Sequence, residues 1–163
     1  MTSELETQSS ETGRILRTAG LTIACAESCT GGLLTSTLTD VSGSSSYVMG
    51  SVVSYSNDVK ARILHVPVET LSAHGAVSEQ TARAMAEGVR ALMQTDLGVG
   101  ITGIAGPDGG SAEKPVGLVY IAVSNQAKTV VQKNYFHGTR LENKQSAVDK
   151  ALAMIRDVLR SSL

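Results

Sequence analysis

The sequence has little with which to stack bases, cross a membrane or lock itself with disulfides. It contains no Trp, one Phe and four Tyr, and its net charge is −1. Nucleic-acid grooves need a basic field, and single-strand binders add aromatic platforms. Neither is present, so no nucleic-acid partner is expected. No apolar run approaches the roughly 20 residues of a membrane-spanning helix. The opening Met1-Thr2-Ser3-Glu4-Leu5-Glu6 is acidic and polar, unlike a secretory leader. The only two cysteines, Cys25 and Cys29, lie close together in one segment. They make no disulfide framework, and no second Cys/His pair completes a zinc site. No metal, no cofactor and no membrane contact are expected, and a reduced, cytoplasmic enzyme or binding domain fits this usage. The 163 residues, 42% hydrophobic and 18% charged, suffice for one domain over 1–163 with a sizeable core.

What the sequence does have is two glycine-bearing loops, each where a strand should end. Ala26-Glu27-Ser28-Cys29-Thr30-Gly31-Gly32 follows the apolar run Leu21-Thr22-Ile23-Ala24-Cys25. Thr102-Gly103-Ile104-Ala105-Gly106-Pro107-Asp108-Gly109-Gly110 follows Leu97-Gly98-Val99-Gly100-Ile101. Small, hydroxyl-rich turns at strand ends bring backbone N–H groups close to an anionic ligand. Two of them point to a pocket. The second is neither a P-loop nor a Gly-x-Gly-x-x-Gly dinucleotide loop, and a plain turn-rich connection is its simpler reading.

The pattern predicts helices over 3–19, 30–39, 57–64 and 78–94, and a last helix from Thr139. Glu142 completes a capping box with Thr139. Strands are predicted over 21–26, 49–55, 96–101, 117–124 and 129–136, with 41–46 as a flexible connector. The first helix carries Leu5, Ile15, Leu16 and Ala19 among polar residues, and one-sided apolar stripes mark the two long later helices. In the helix over 78–94 the stripe is Ala82, Met85, Ala86, Val89 and Met93. In the last helix the core-facing stripe is Leu141, Val148, Leu152, Ile155 and Leu159. The short link Asn125-Gln126-Ala127-Lys128 favours an antiparallel hairpin. Helices between the early strands and a hairpin later imply an α/β fold. The expected form is a single three-layer α/β/α domain with a mixed sheet. Ligands in such sheets sit at strand ends, where the glycine loops fall.

Hydroxyls concentrate at Ser28 and Thr30, at Ser44, Ser45 and Ser46, and at Ser54 with Tyr55. A serine nucleophile needs a base. His65, His74 and His137 each stand at a turn or helix end and read as caps. The other base is Lys60, because a desolvated lysine can be neutral enough to take a serine proton. The connector at Ser44–Ser46 is expected to fold back over the start of the Lys60 helix, with Tyr55 as relay. The plainer alternative leaves Lys60 solvated and the serines as loop residues. Ser28 and Cys29 compete for the nucleophile role at a predicted helix start. Ser28 or Thr30 also suits a cap or anion ligand, and Cys29 a small packed residue. Lys114 and Arg140 are candidate phosphate partners. Glu27 is open between buried acceptor, base and surface acid.

Together, the two glycine loops, Gly43-Ser44-Ser45, Tyr55-Ser56-Asn57 with Lys60, His74-Gly75-Ala76-Val77-Ser78 and Lys114-Pro115-Val116-Gly117 resemble the CinA C-terminal domain family. The likeness runs from about residue 5 to 160, and the length resembles its stand-alone, PncC-type members. The resemblance implies hydrolysis of the carboxamide of nicotinamide mononucleotide to nicotinate mononucleotide and ammonia, without a metal. It implies Ser45 as nucleophile, with Ser44 and Ser46 as local alternatives, and Lys60 and Tyr55 as its partners. It implies substrate contacts at Ser28, Cys29, Thr30 and Gly31, at Thr102, Gly103, Ala105 and Gly106, and at Arg140. It also implies a homodimer or higher homo-oligomer. Some of its homologues are known only as competence- or damage-related proteins, so a silent nucleotide-binding module acting through a protein partner is the rival expectation.

Overall fold

A computed structural model describes the backbone of residues 3–162 and the side chains of residues 8–162. Helix α1 (Ser3–Ala19) leads into strand β1 (Ile23–Glu27), and α2 (Leu33–Thr39) follows the first glycine loop. A 3-10 turn (Ser44–Ser46) precedes β2 (Val48–Val53). Then come α3 (Asn57–Arg62), α4 (Val68–His74) and α5 (Glu79–Met93), and β3 (Leu97–Gly103), β4 (Leu118–Ser124), β5 (Thr129–Tyr135) and α6 (Arg140–Ser162).

The five strands form one mixed sheet in the order β2-β1-β3-β4-β5. β1 pairs in parallel with β2 and β3, whereas β3–β4 and β4–β5 are antiparallel. The hairpin link is held by Asn125, whose Oδ1 accepts from the amides of Ala127 and Lys128.

Strand alternation sorts the core into two layers. On one face Ile23 and Cys25, Val99 and Ile101, and Ile121 pack under Leu16 of α1, Leu34 and Leu38 of α2, and Val148, Leu152 and Ile155 of α6. On the other, Ala24 and Ala26 meet Met85 and Val89 of α5 and the Leu64–Val66 segment. Gly98 and Gly100 let α5 sit directly on the sheet: a Cβ there would stand 2.2 Å from Ala86 O or 2.5 Å from Ala82 O. The three-layer α/β/α expectation matches this architecture.

Local differences have local causes. The helix predicted from Thr30 begins at Leu33, because Gly31 and Gly32 both take positive φ. The predicted connector contains the 3-10 turn, and α4 was not anticipated. Leu141, assigned to the core stripe, is 69% exposed because it lies in the first turn of α6, beyond the sheet. The side chain of Leu5 lies outside the described residues. Among the described residues no helix is long and apolar enough to cross a membrane.

Candidate active site

The chain leaves β1 for β2 on one side of the sheet and later returns to β3 on the other. The C-terminal ends of β1 and β3 therefore flank a strand-order reversal, where ligand crevices form in open α/β sheets. Both glycine loops emerge there. Between them lies a cavity of about 270 Å³ whose lining includes Ser28, Cys29, Tyr55, Lys60, Gly106 and Arg140.

Ser28 is the first residue past β1, and its amide still donates to Ile101 O of β3 at 3.0 Å. The backbone of this serine is thus fixed by the sheet. Glu27 beside it is fully buried. Its Oε1 accepts from Thr30 Oγ1 at 2.7 Å and Leu34 N at 2.9 Å. Its Oε2 accepts from Thr35 N at 2.9 Å and Thr35 Oγ1 at 2.6 Å. Of the three roles left open for Glu27, the structure selects buried acceptor. The carboxylate answers two orphan amides of the first turn of α2 and ties the loop to that helix.

Lys60 comes from α3, which is capped by Ser56, whose Oγ accepts from Val59 N at 3.1 Å. This cap sets the helix rotation that turns Lys60 inward while Asp58 and Arg62 pair on the outside. Lys60 is 1% exposed. Its Nζ donates to Ser54 O at 2.6 Å and lies 3.0 Å from Ser28 Oγ. Among the described residues no carboxylate forms an ion pair with it. Burial lowers its pKa from the ordinary lysine value, and the nearby Cys29 opposes this in part. The solvated alternative for Lys60 is thereby excluded.

The expected pairing of Ser45 with Lys60 does not form. Ser45 is exposed in the 3-10 turn at the opposite end of the sheet. The six residues of β2 run between it and the Lys60 helix, a span of ~20 Å. Ser44 Oγ donates to Thr39 O at 3.4 Å and Ser46 Oγ to Gly43 O at 3.0 Å, so neither neighbour replaces it. The connector cannot fold back because β2 pairs in parallel with β1 from its first residue.

The other candidates divide. Tyr55 is 63% exposed at the cavity mouth, and its hydroxyl accepts from Arg140 Nη2 at 3.0 Å rather than meeting Lys60. Arg140 Nη1 donates to Gly106 O at 2.7 Å. Gly103, Ala105 and Gly106 line the cavity with Thr102, whose Oγ1 is committed to Ala76 O at 2.7 Å. Thr30 is buried with its hydroxyl on Glu27, and Gly31 is exposed outside the lining. Lys114 is drawn away, donating to His74 O at 2.7 Å. His65, His74 and His137 are exposed at turns or helix ends, outside the cavity. Cys29 lines the cavity, but burial pushes its thiol up to about 12. Cys25, fully buried in the sheet, is also raised.

This chain matches the family model described as CinA C-terminal domain over residues 5–159. It belongs to the CinA C-terminal domain family. The CinA-like protein of Gemmatimonas aurantiaca is 53% identical over 136 residues, 83% of this chain and 32% of that protein. The CinA-like protein of Syntrophus aciditrophicus is 48% identical over 155 residues, 94% of this chain and 37% of that protein. The chain thus spans about a third of these curated CinA relatives. It superimposes with a TM-score of 0.94 on the competence/damage inducible protein CihA from Agrobacterium tumefaciens, at 40% identity over 98% of each chain. The CinA superfamily protein from Escherichia coli gives a TM-score of 0.91 at 30% identity, over 94% of this chain and 90% of that one.

Proposed function

We propose that this CinA-family chain is an amidohydrolase that converts nicotinamide mononucleotide to nicotinate mononucleotide and ammonia through an ester on Ser28. The observation that carries this reading is the 3.0 Å contact between Ser28 Oγ and the buried, carboxylate-free Lys60 Nζ, facing a cavity at the strand-order reversal. A neutral lysine has two N–H donors and one lone pair. With one N–H on Ser54 O, the neutral amine keeps a lone pair that accepts the Ser28 hydroxyl proton across the 3.0 Å contact.

In the first half-reaction Lys60 takes the Ser28 proton while Oγ bonds to the carboxamide carbon. The C–N bond then breaks as Lys60 returns that proton to the departing nitrogen, which leaves as ammonia. In the second half, Lys60 takes a proton from water and the resulting hydroxide attacks the ester. The bond to Ser28 Oγ breaks as Lys60 returns its proton to that oxygen, and the product acid gives up its remaining proton to solvent and leaves as the carboxylate. Ser54 O stabilises the transient ammonium. The ring enters the cavity between the glycine loops, and the 5′-phosphate meets Arg140 at the mouth. Two contacts of Arg140 are to Gly106 O and Tyr55 Oη, leaving further guanidinium N–H groups for an anion.

The test is ammonia release from nicotinamide mononucleotide by the purified chain, with the nucleotide product weighed by mass spectrometry. A one-for-one yield of ammonia and nicotinate mononucleotide is expected. Binding of the nucleotide without ammonia release would contradict the reading and favour a silent binding module.

A further inference from the structure

Asn143 lies in the first turn of α6 and is 1% exposed. Both ends of its amide are engaged. Oδ1 accepts from Gly138 N at 2.9 Å, and Nδ2 donates to Ala105 O at 2.9 Å. The first bond closes the turn that enters α6. The second crosses to the second glycine loop, on the cavity wall. Arg140, three residues earlier on the same helix, holds the next carbonyl, Gly106 O, at 2.7 Å. Two successive carbonyls of the loop are thus held by the start of α6.

A trans peptide carries its C=O and N–H on opposite sides. The Ala105–Gly106 bond is trans. With Ala105 O drawn to Asn143, the Gly106 N–H points away from that side chain. Gly106 is buried and lines the cavity, and its N–H has no acceptor among the described residues. Buried amides are met by a partner, and for a residue on the cavity wall that partner is water or a ligand atom. Pro107 has no N–H, so Gly106 supplies the last donor before it.

We propose that Asn143 is a positioning residue that aims the Gly106 N–H at the oxyanion formed on the substrate carbonyl. This rests on the amidase reading above. Asn143 contacts neither Ser28 nor Lys60; it acts by fixing the orientation of one peptide plane. A donor whose hydrogen bond strengthens as charge develops raises kcat more than it lowers KM.

The test uses Asn143→Asp. Its carboxyl, when protonated, keeps a donor for Ala105 O and an acceptor for Gly138 N–H. When ionised, it sets an acceptor against an acceptor. The variant's kcat relative to the parent is expected to fall about 100-fold as pH is raised through ionisation of that carboxyl, in line with loss of an oxyanion donor. KM is expected to stay within about threefold. A second readout is the Gly106 amide resonance in ¹⁵N-labelled parent protein on adding nicotinate mononucleotide, whose carboxylate stands in for the oxyanion. That resonance is expected to shift. A kcat ratio that does not change with pH in a folded variant would overturn the proposal. So would a silent Gly106 amide in the parent, which keeps the test decisive if the variant does not fold. A parent that shows the Gly106 shift but releases no ammonia would overturn the amidase reading while supporting the placement of this donor.

Discussion

Lys60 Nζ and Ser28 Oγ stand 3.0 Å apart although 32 positions separate them in the chain. The sheet makes the meeting possible. β1 delivers Ser28 at its C-terminal end, and β2, parallel to β1, delivers Ser54 and then α3 to the same end. The lysine reaches back through the gap, using Ser54 O as a second anchor.

The proposed amidase reaction requires the lysine to be neutral when it takes the Ser28 proton. Burial lowers its pKa, so kcat/KM should rise with pH along a limb whose midpoint lies below the ordinary lysine value of 10.5. The same shift makes folding favour the deprotonated form. Its contribution to stability is therefore present above the unfolded-state pKa and is lost as pH falls through the depressed folded value. Lys60→Arg, permanently protonated, should lose at least about 1,000-fold in kcat/KM and show no recovery at high pH. A pH–rate profile of the parent and this variant checks the two kinetic statements, and unfolding curves taken across the same pH range check the stability one.

Cys29 lines the same cavity, but in the proposed reaction it is not the nucleophile. Its thiol, raised to about 12 by burial, should resist iodoacetamide at pH 8 in the folded protein and react on unfolding. Cys29→Ala should retain activity within about tenfold, the loss coming from altered packing beside Ser28. Intact-mass measurement of alkylation, with and without denaturant, decides it.

Glu27 is a structural carboxylate. Glu27→Gln keeps the shape but turns an N–H₂ toward donors, leaving buried groups without an acceptor. A loss of about 3 kcal/mol is expected, read as a lowered denaturation midpoint at unchanged slope.

Gly100→Ala tests the contact between helix and sheet. The added methyl would sit 2.5 Å from Ala82 O, and relief requires α5 to move off β3. About 1–3 kcal/mol of destabilisation is expected, measured by the same unfolding curves.

The fold was legible because period and punctuation agreed. Alternating Ile23, Cys25 and Ala24, Ala26 marked a strand buried on both faces, and the stripe from Ala82 to Val89 marked α5. The glycine loops were legible as a pocket because each is a small, hydroxyl-rich turn after an apolar strand run, and the parallel pairing of β1 with β3 brings both to one end of the sheet. The partner of Lys60 was harder to read. Ser45 was assigned through the resemblance of Gly43-Ser44-Ser45 to a family motif, and the parallel register of β1 and β2 sends it to the far end of the sheet. Asn143 was passed over for a similar reason. In sequence it is one polar residue in a helix start, and its bond to Ala105 O, 38 positions away, exists only after α6 docks. Its one available signal was its place directly after the Thr139–Glu142 capping box, where α6 begins.

In the proposed reaction Ser28 carries the acyl group. The most direct measurement compares Ser28→Ala and Ser45→Ala with the parent, following ammonia release from nicotinamide mononucleotide and the intact mass of acid-quenched reactions. Ser28→Ala should lose at least about 1,000-fold in kcat while remaining folded, and Ser45→Ala should stay within about twofold of the parent. Any adduct trapped on the parent should map to the peptide containing Ser28. Full activity in Ser28→Ala, or an adduct on the peptide containing Ser45, would contradict that role.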